Sequence, residues 1–458
     1  MKKILKKIDS YFQISKKHST FIKEIGAGVM VFLAMIYIMP VNANILGGAG
    51  FPAGSVFIAT ALVSGIVTIF MGLFGKYPIA LSVGMGMNAF LAFTVCNNLG
   101  YSWEEGLALV IVAGIIFMVI SFTGWRQKII NAFPQDLKYA ITIGLGFFIA
   151  FVGLKMGGII AANDGTLVAL GKLNNPVVLL SLFGVFLCFG LFAVSGKLQY
   201  FAIILAMAVT ALLGLVLNLI GVDNMPGFNI TDYGNIGAIF GKGIAVIPGV
   251  LLRPESYAVI FAMIFVNLFD TSATIMAVGK EVGMLNDRGQ LAAGNRVIYV
   301  DAVGAVLGGI FGSSTVTSYA ESTIGVKLGA RTGLTAVTTG FLFLLAVFLY
   351  PLFSLFSAIP VGDDFYTPVT SLALVAVGAM LFANLKYLNW DDLIVTFTAF
   401  SIIIFMVLTY SLADGLGIGI FIYVIMKFFS GRKSEVSIIL YIIAFFFLVN
   451  YILGAVLY

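Results

Sequence analysis

One carboxylate, Glu321, lies inside a run of hydroxyl side chains in an otherwise apolar part of the chain. Eight of the eleven residues from Ser313 to Thr323 carry a hydroxyl group. A carboxylate in such surroundings costs several kcal/mol unless it is paired, solvated or protonated. The tract therefore predicts a site at which Glu321 meets a small polar ligand. The structural alternative is a glutamate that is satisfied by the neighbouring hydroxyls.

A second unusual segment alternates glycine with methionine and ends on an amide, as Gly84-Met-Gly-Met-Asn88. Glycines at alternate positions weaken a helix and permit extended backbone. Because an amide both donates and accepts hydrogen bonds, Asn88 is predicted to contribute to a ligand site. The structural alternative is an asparagine that joins two helices.

A polar stripe marks one further apolar stretch and consists of Asn267, Asp270, Thr271 and Thr274. Their spacing of i, i+3, i+4 and i+7 places all four on one face of a helix. Asp270 is the only acid in this stretch, and amide and hydroxyl neighbours can solvate a carboxyl group in either protonation state. We expect Asp270 to bind and release a proton, with a structural hydrogen bond between helices as the alternative.

The other ionisable and sulfur-containing side chains are assigned structural roles. Asp301 begins a run of small residues and is expected to tie two helices together, whereas Glu24 and Lys155 lie near block ends and can reach the interface. Cys96 and Cys188 are expected to be small core residues. With no buried histidine, no nucleophile–base pair and no metal-ligand spacing, the sequence predicts no catalytic residues, metal or cofactor.

These residues must be positioned by helices in a membrane. The apolar fraction is 61%, against roughly 45–50% for a soluble domain, and charged residues make up 10%, against about 25%. A soluble fold of 458 residues cannot cover its surface with so few charges. The chain is therefore predicted to be an all-α polytopic membrane protein.

The apolar blocks suggest about fourteen crossings, seven on each side of a polar stretch. They lie near residues 25–42, 53–75, 78–96, 105–124, 136–155, 176–195, 199–220, 255–279, 291–311, 314–328, 332–352, 367–385, 392–410 and 414–429. An odd number per half inverts the second half relative to the first, and inverted repeats of this kind are typical of transporters. The third and tenth blocks are then equivalent, so short extended stretches should bring Asn88 and Glu321 to one site.

The basic residues predict the orientation of the chain. Residues 2–23 carry seven lysines, which the positive-inside rule places in the cytoplasm. Lys76 and the Arg126/Lys128 pair fall in loops on that same side. We expect a multi-pass protein of the plasma (inner) membrane with a cytoplasmic N-terminus and lipid, not nucleic acid, as its surroundings. An additional apolar run at 436–457 is either a fifteenth crossing or a peripheral helix.

Four motifs resemble those of the AzgA-like purine permeases: Gly84-Met-Gly-Met-Asn-Ala-Phe90, Phe265-Val-Asn-Leu-Phe-Asp-Thr271, Thr317-Ser-Tyr-Ala-Glu-Ser322 and Gly329-Ala-Arg-Thr-Gly-Leu-Thr335. That branch carries hypoxanthine, guanine and adenine and is related to uracil permeases and nucleobase–ascorbate transporters. Two positions depart from known patterns. Asn267 stands where the branch commonly has Asp. Glu321-Ser-Thr-Ile-Gly325 is one residue longer than the uracil-permease signature, which favours the purine branch.

The resemblance implies two domains that are each built from both halves of the chain. A core domain would comprise 24–135 and 255–353 (segments 1–4 and 8–11), and a gate domain would comprise 136–220 and 354–430 (segments 5–7 and 12–14). Three pieces remain: a basic N-terminal segment at 1–23, a central loop at 221–254 and an extra apolar segment at 431–458.

The resemblance also implies import of purine bases by proton symport, with the core moving against the gate and a possible homodimer. Glu321 matches the substrate-binding glutamate, Tyr319 and Ala320 its neighbours, Asn88 the asparagine of the third segment, and Asp270 the second acid of the eighth. We add Asn267 as a polar contact and Phe90 as a ring that could stack on the base.

A neutral, flat purine with donors and acceptors on its edges suits a carboxylate facing an amide. Three alternatives stay open. The first is a transporter of the same fold for uracil, xanthine or an anion, although an anion would favour Arg or Lys over Glu321. The others are an intramembrane enzyme and an uncoupled channel.

Overall fold

The chain is predominantly helical. The computed structural model describes residues 2–163, 165–194, 196–228, 234–281, 296–362 and 364–457. Its helices are α1 (Lys2–Phe12), α2 (Phe21–Met35), α3 (Ile38–Gly47), α4 (Ala53–Phe70), α5 (Met85–Ala89), α6 (Trp103–Phe122), α7 (Trp125–Ala132), α8 (Gln135–Met156), α9 (Pro176–Ala193), α10 (Ala202–Leu219), α11 (Lys242–Leu251), α12 (Glu255–Glu281), α13 (Arg296–Phe311), α14 (Ser322–Lys327), α15 (Gly333–Ala346), α16 (Tyr350–Phe353), α17 (Ser371–Phe382), α18 (Leu393–Leu408), α19 (Leu412–Phe429) and α20 (Ile438–Leu457). The predicted all-α class is confirmed.

In the part of the chain that the structure describes, six short strands form three antiparallel pairs: β1 (Leu81–Val83) with β4 (Val316–Ser318), β2 (Ile160–Asn163) with β3 (Leu167–Leu170), and β5 (Ile359–Val361) with β6 (Asp364–Tyr366). The β2–β3 and β5–β6 pairs are hairpins between neighbouring helices. The β1–β4 pair joins the predicted third and tenth segments, and its residues are buried. Both segments therefore contain a short extended stretch, as expected. In the third segment, however, the strand precedes the glycine–methionine run, and residues 85–88 of that run are helical in α5.

Several helices are long and apolar enough to cross a bilayer. Within the described residues, eight satisfy that criterion: Phe21–Gly47, Ala53–Gly75, Trp103–Phe122, Gln135–Met156, Pro176–Ala193, Leu198–Leu219, Gly333–Leu352 and Leu412–Phe429. Shorter apolar helices lie at Ile236–Leu251, Glu255–Phe269, Ser371–Tyr387, Leu393–Leu408 and Ile438–Val449. The chain is thus a multi-pass membrane protein, and the count of fourteen crossings stays a prediction.

Two groups of helices pack among themselves. In the first group, α15 lies against α2 and α4, while α13 lies against α4 and α6. In the second, α8 lies against α17 and α18, and α9 lies against α10 and α17. Glycines permit the closest approaches: a Cβ on Gly72 would come 2.4 Å from the carbonyl oxygen of Gly333, and one on Gly378 would come 2.4 Å from that of Gly146. Small residues at such contacts are how helices associate in lipid.

Two expectations about the chain need correction. The central loop is not irregular throughout, because α11 lies within it and packs on α6. Glu24 does not reach the interface: it is fully buried, and its carboxylate accepts hydrogen bonds from the backbone N–H groups of Arg331 (2.9 Å) and Thr332 (3.2 Å) and from Thr335 Oγ1 (2.6 Å). These hydrogen bonds offset the free-energy cost of burying the charged carboxylate.

The additional C-terminal run forms helix α20, which lies alongside α19. Ser437, at its start, donates to the carbonyl oxygen of Ala132 (3.0 Å), and Tyr451 donates to that of Asp414 (3.2 Å) near the start of α19. Phe447 also packs edge-on against Phe261 of α12, with ring centroids 5.2 Å apart. The helix therefore contacts α7, α12 and α19.

Candidate functional site

The pairing of β1 with β4 brings the two polar segments together. Leu81 lies opposite Ser318, and Val83 lies opposite Val316. The backbone contacts continue beyond the strands, because Gly84 N–H donates to Thr315 O (3.0 Å) and Tyr319 N–H donates to Ala80 O (3.0 Å). Each strand is followed by a helix: α5 begins after Gly84, and α14 begins after Glu321. The two segments thus form one paired unit.

Glu321 stands at the start of α14 and is held by a tyrosine from the first crossing. Tyr37 Oη donates to Glu321 Oε1 over 2.7 Å. Tyr37 is 0% exposed and lies in the two-residue interruption between α2 and α3. Glu321 as a residue is partly buried, and the neighbouring Ala320 is exposed. Oε2 is the carboxylate oxygen that does not take part in the Tyr37 bond.

Asn88 lies on α5 and is 0% exposed. Its Oδ1 accepts a hydrogen bond from Ser314 Oγ, close to the start of β4. Its Nδ2 has no hydrogen-bond partner among the described residues. A buried amide donor without a partner costs about 1–3 kcal/mol. Such a donor is suited to bind an acceptor atom of a ligand.

The other predicted site residues have distinct surroundings. Tyr319 is buried and donates its hydroxyl to the carbonyl oxygen of Val83, which ties β4 to β1. Phe90 is 1% exposed and belongs to the hydrophobic core. Asn267 is buried on α12, where its backbone carbonyl oxygen accepts a hydrogen bond from Thr271 Oγ1 (2.7 Å). The side chains of Asp270 and Thr274 lie outside the described residues.

A buried ion pair lies beside this stripe. Arg126 Nη1 is 2.9 Å from Asp301 Oδ2, and the two residues are 2% and 0% exposed. Arg126 Nη2 also donates to Thr271 Oγ1 (2.7 Å), and Ser318 Oγ donates to Asp301 Oδ1 (3.2 Å). The helix tie expected at Asp301 is therefore an ion pair that reaches the last residue of β4. Arg126 was expected as a cytoplasmic loop charge, and that expectation is wrong because α7 turns its side chain into the protein.

Sequence reasoning missed Tyr37 and Arg126 as members of this region. Tyrosine is common in apolar stretches, and arginine is common in loops that follow a crossing, so neither residue type stands out. Their partners, Glu321 and Asp301, lie in the other half of the chain. The sequence offers one signal, because a buried acid needs hydrogen-bond donors. That requirement does not identify the residues that supply them.

The arrangement defines a class of protein. In this helical membrane protein two discontinuous segments meet, one with a partly buried glutamate and the other with a buried amide. This arrangement is that of a membrane transporter of the broken-helix type. The fold agrees with this class. The transmembrane domain of a cyanobacterial bicarbonate transporter, BicA, superposes with a TM-score of 0.61 at 15% identity, over 86% of this chain and 96% of that chain.

A second solved structure has the same fold. The murine anion transporter Slc26a9, in its inward-facing state, matches with a TM-score of 0.58 at 10% identity, over 90% of this chain and 69% of that chain. At this level of identity the likeness concerns the fold alone. It leaves the substrate of this chain open.

The chain belongs to the Permease family, whose model (Xan_ur_permease) matches residues 22–418. Among its relatives is the guanine/hypoxanthine permease PbuG of Bacillus subtilis, which is 38% identical over 441 residues, covering 94% of this chain and 96% of the relative. The adenine permease AdeQ of Escherichia coli K12 is 34% identical over 442 residues, covering 96% of this chain and 95% of the relative. The predicted resemblance to purine permeases is thereby confirmed.

Proposed function

We propose that this protein imports purine bases across the plasma membrane by proton symport. The observation that carries the proposal is the presence of two unlike groups on the two segments that the β1–β4 pair joins. Glu321 offers a carboxylate oxygen that accepts hydrogen bonds, and Asn88 Nδ2 offers a donor without a partner among the described residues. A purine base presents both N–H donors and ring or carbonyl acceptors on its edges.

The names of the relatives support the substrate class. PbuG is a guanine/hypoxanthine permease, and AdeQ is an adenine permease. Their similarity covers nearly the whole chain, including the strands and both half-helices of the site. Hypoxanthine, guanine and adenine are therefore the first substrates to test. Uracil, xanthine and small anions are the substrates of the alternative function.

Core-against-gate motion is the proposed transport mechanism. The core would comprise 24–135 and 255–353, and the gate 136–220 and 354–430. The packing supports this division, because α15 packs on α2 and α4 within the proposed core, while α17 packs on α8 and α9 within the proposed gate. Motion of one group against the other would expose Glu321 and Ala320 first to one side of the membrane and then to the other.

We assign proton coupling to Asp270 and base binding to Glu321. Asp270 lies on α12 next to Thr271, whose hydroxyl accepts from Arg126. Thr271 and Arg126 link this part of α12 to Asp301, which accepts from Ser318 at the end of β4. Tyr319, Ala320, Asn267 and Phe90 complete the proposed substrate set. Of these, Ala320 is the exposed one, whereas the other three are buried.

The test is uptake of labelled hypoxanthine, guanine, adenine, xanthine and uracil in a host that lacks its own permeases, with and without an uncoupler. Saturable, uncoupler-sensitive uptake of at least one of the first three, in preference to uracil, supports the proposal. Exclusive uptake of uracil or of an anion contradicts it. Glu321→Gln should lose uptake, whereas Glu104→Gln, at the start of α6 and remote from the site, serves as the control with the same loss of charge.

A further inference from the structure

The N-terminal helix α1 presents lysines that have no acidic partner. Lys3, Lys6 and Lys7 are exposed, and their spacing places them on one face of the helix. The ion pairs formed within the described residues do not include them. Asp9, the one acid among residues 2–23, is engaged elsewhere: hydrogen bonds from the backbone N–H and hydroxyl of Ser15 lower its pKa.

The end of α1 is attached to the protein where two spanning helices leave the lipid. Tyr11 Oη donates to the carbonyl oxygen of Leu73 (2.9 Å), and the Tyr11 ring lies 4.5 Å from Lys76 Nζ. Leu73 and Phe74 are exposed apolar residues at the end of the second crossing, and Ile22, at the start of the first, is 85% exposed. Exposed apolar side chains on spanning helices face lipid. The helix α1 therefore lies at the level of the headgroups.

We propose that Lys3, Lys6, Lys7, Lys16 and Lys23, hereafter the lysine surface, bind the anionic phospholipid headgroups of the adjoining leaflet. All five side chains are exposed. They are spread over residues 3–23, along α1 and into the start of α2, which fits a plane of headgroups better than a single soluble anion. Each lysine close to an anionic leaflet contributes about a fivefold factor in binding, and the attraction fades within about 10 Å at 0.1 M salt.

The segment that carries the lysine surface is hydrogen-bonded to the loop next to the proposed transport site. Lys17 Nζ donates to the carbonyl oxygen of Arg331 (3.3 Å), and Ser19 Oγ donates to that of Gly329 (3.2 Å). Glu24 accepts from the N–H of Arg331 (2.9 Å). These contacts hold the loop that directly follows α14, the helix that begins after Glu321. The N-terminal segment is thus joined by hydrogen bonds to the loop that follows α14.

The experiment uses the full-length protein in nanodiscs and needs no substrate. Ser10→Cys places a thiol on the exposed face near Lys6 and Lys7, and because Cys96 and Cys188 are buried, an environment-sensitive fluorophore labels the new residue. Quenching by brominated lipid is compared in pure phosphatidylcholine discs and in discs that also contain phosphatidylglycerol. Stronger quenching with phosphatidylglycerol, reversed by high salt, is expected.

A matched pair of variants makes the test specific. K3Q/K6Q/K7Q should lose most of the phosphatidylglycerol-dependent quenching, because three factors of about five are removed. K172Q/K242Q/K433Q removes the same charge from exposed positions elsewhere. This variant should keep the phosphatidylglycerol-dependent quenching. Equal quenching in both disc types, or an unchanged K3Q/K6Q/K7Q variant, overturns the proposal. So does an equal response to inorganic phosphate in phosphatidylcholine discs, which would indicate a soluble-anion site.

Discussion

The hydroxyl of Tyr37 donates a hydrogen bond to Oε1 of Glu321 over 2.7 Å, although the two residues are 284 positions apart in the chain. The bond uses one acceptor site of the carboxylate and restricts its rotation. The remaining acceptor sites are the ones that can meet a ligand edge. The interruption between α2 and α3 therefore contributes to the geometry of the proposed site, whose acid lies at the start of α14.

Replacing Tyr37 by phenylalanine should weaken base binding. Tyr37→Phe removes the donor and frees the carboxylate to rotate, which at about 1–3 kcal/mol corresponds to roughly five- to hundredfold in affinity. Isothermal titration of the purified protein with hypoxanthine measures the effect. The matched control is Tyr441→Phe, because the Tyr441 hydroxyl donates to a backbone carbonyl at an exposed position on α20. An unchanged affinity in Tyr37→Phe, together with a loss in Glu321→Gln, would show that this bond does not position the carboxylate.

The two acids should give different phenotypes. Glu321→Gln sets an amide donor against a ligand N–H, and the two unsatisfied donors should lower affinity by about tenfold to a hundredfold. Asp270→Asn should spare equilibrium binding and abolish uphill accumulation driven by a proton gradient. Binding to purified protein and uptake into vesicles with an imposed pH gradient separate the two effects. If Asp270→Asn abolishes binding while Glu321→Gln leaves it untouched, the assignment is reversed.

Breaking the Arg126–Asp301 pair by a single substitution should destabilise the protein. Replacing both residues together should be tolerated. Arg126→Met leaves Asp301 as a buried charge without its cation, at a cost of about 3–5 kcal/mol. Arg126→Met combined with Asp301→Leu removes both charges and should recover much of that loss. Thermal unfolding in detergent gives the coupling through a double-mutant cycle.

The exposed Arg253–Glu105 pair supplies the control for that cycle. Because the Arg253 side chain is half exposed, Arg253→Met should change stability by less than about 1 kcal/mol. A single variant Arg126→Met with wild-type stability would contradict the buried pair.

A glycine contact in the second helix group gives a further stability prediction. A Cβ on Gly378 would lie 2.4 Å from the carbonyl oxygen of Gly146 and 2.6 Å from the Ala150 side chain. Gly378→Ala should force α17 away from α8 and cost about 1–3 kcal/mol. Gly190→Ala, in α9 with nothing within 4 Å of the added carbon, should instead stabilise by up to about 1 kcal/mol. Equal thermal shifts for the two variants would refute the close contact.

The sequence predicted those parts of the site that consist of unusual residues in apolar surroundings. Glu321 and Asn88 stand out because a charge or an amide in a spanning segment demands a reason. The glycine pattern predicted extended backbone at residues 84–88, but residues 85–88 are helical in α5, and the strand β1 lies just before them. Tyr37 and Arg126 could not be predicted in this way. Their roles arise from burial and from partners in the other half of the chain, and neither can be read from local periodicity. Helix α11 was missed for a related reason: its short apolar run, interrupted by Pro248, lies in a stretch dominated by turn signals.

The pairing of Leu81 with Ser318 and of Val83 with Val316 also sets the order in which the protein can be made. The N–H and C=O groups of β1 emerge from the ribosome long before their partners in β4, and a bilayer offers them no substitute. The backbone groups of β1 therefore stay unpaired, shielded by protein, water or the insertion machinery, until β4 has been synthesised. Because contacts between such distant parts of a chain form slowly, the site is among the last regions to mature. Nascent chains halted before β4 should accordingly be prime substrates for membrane quality control.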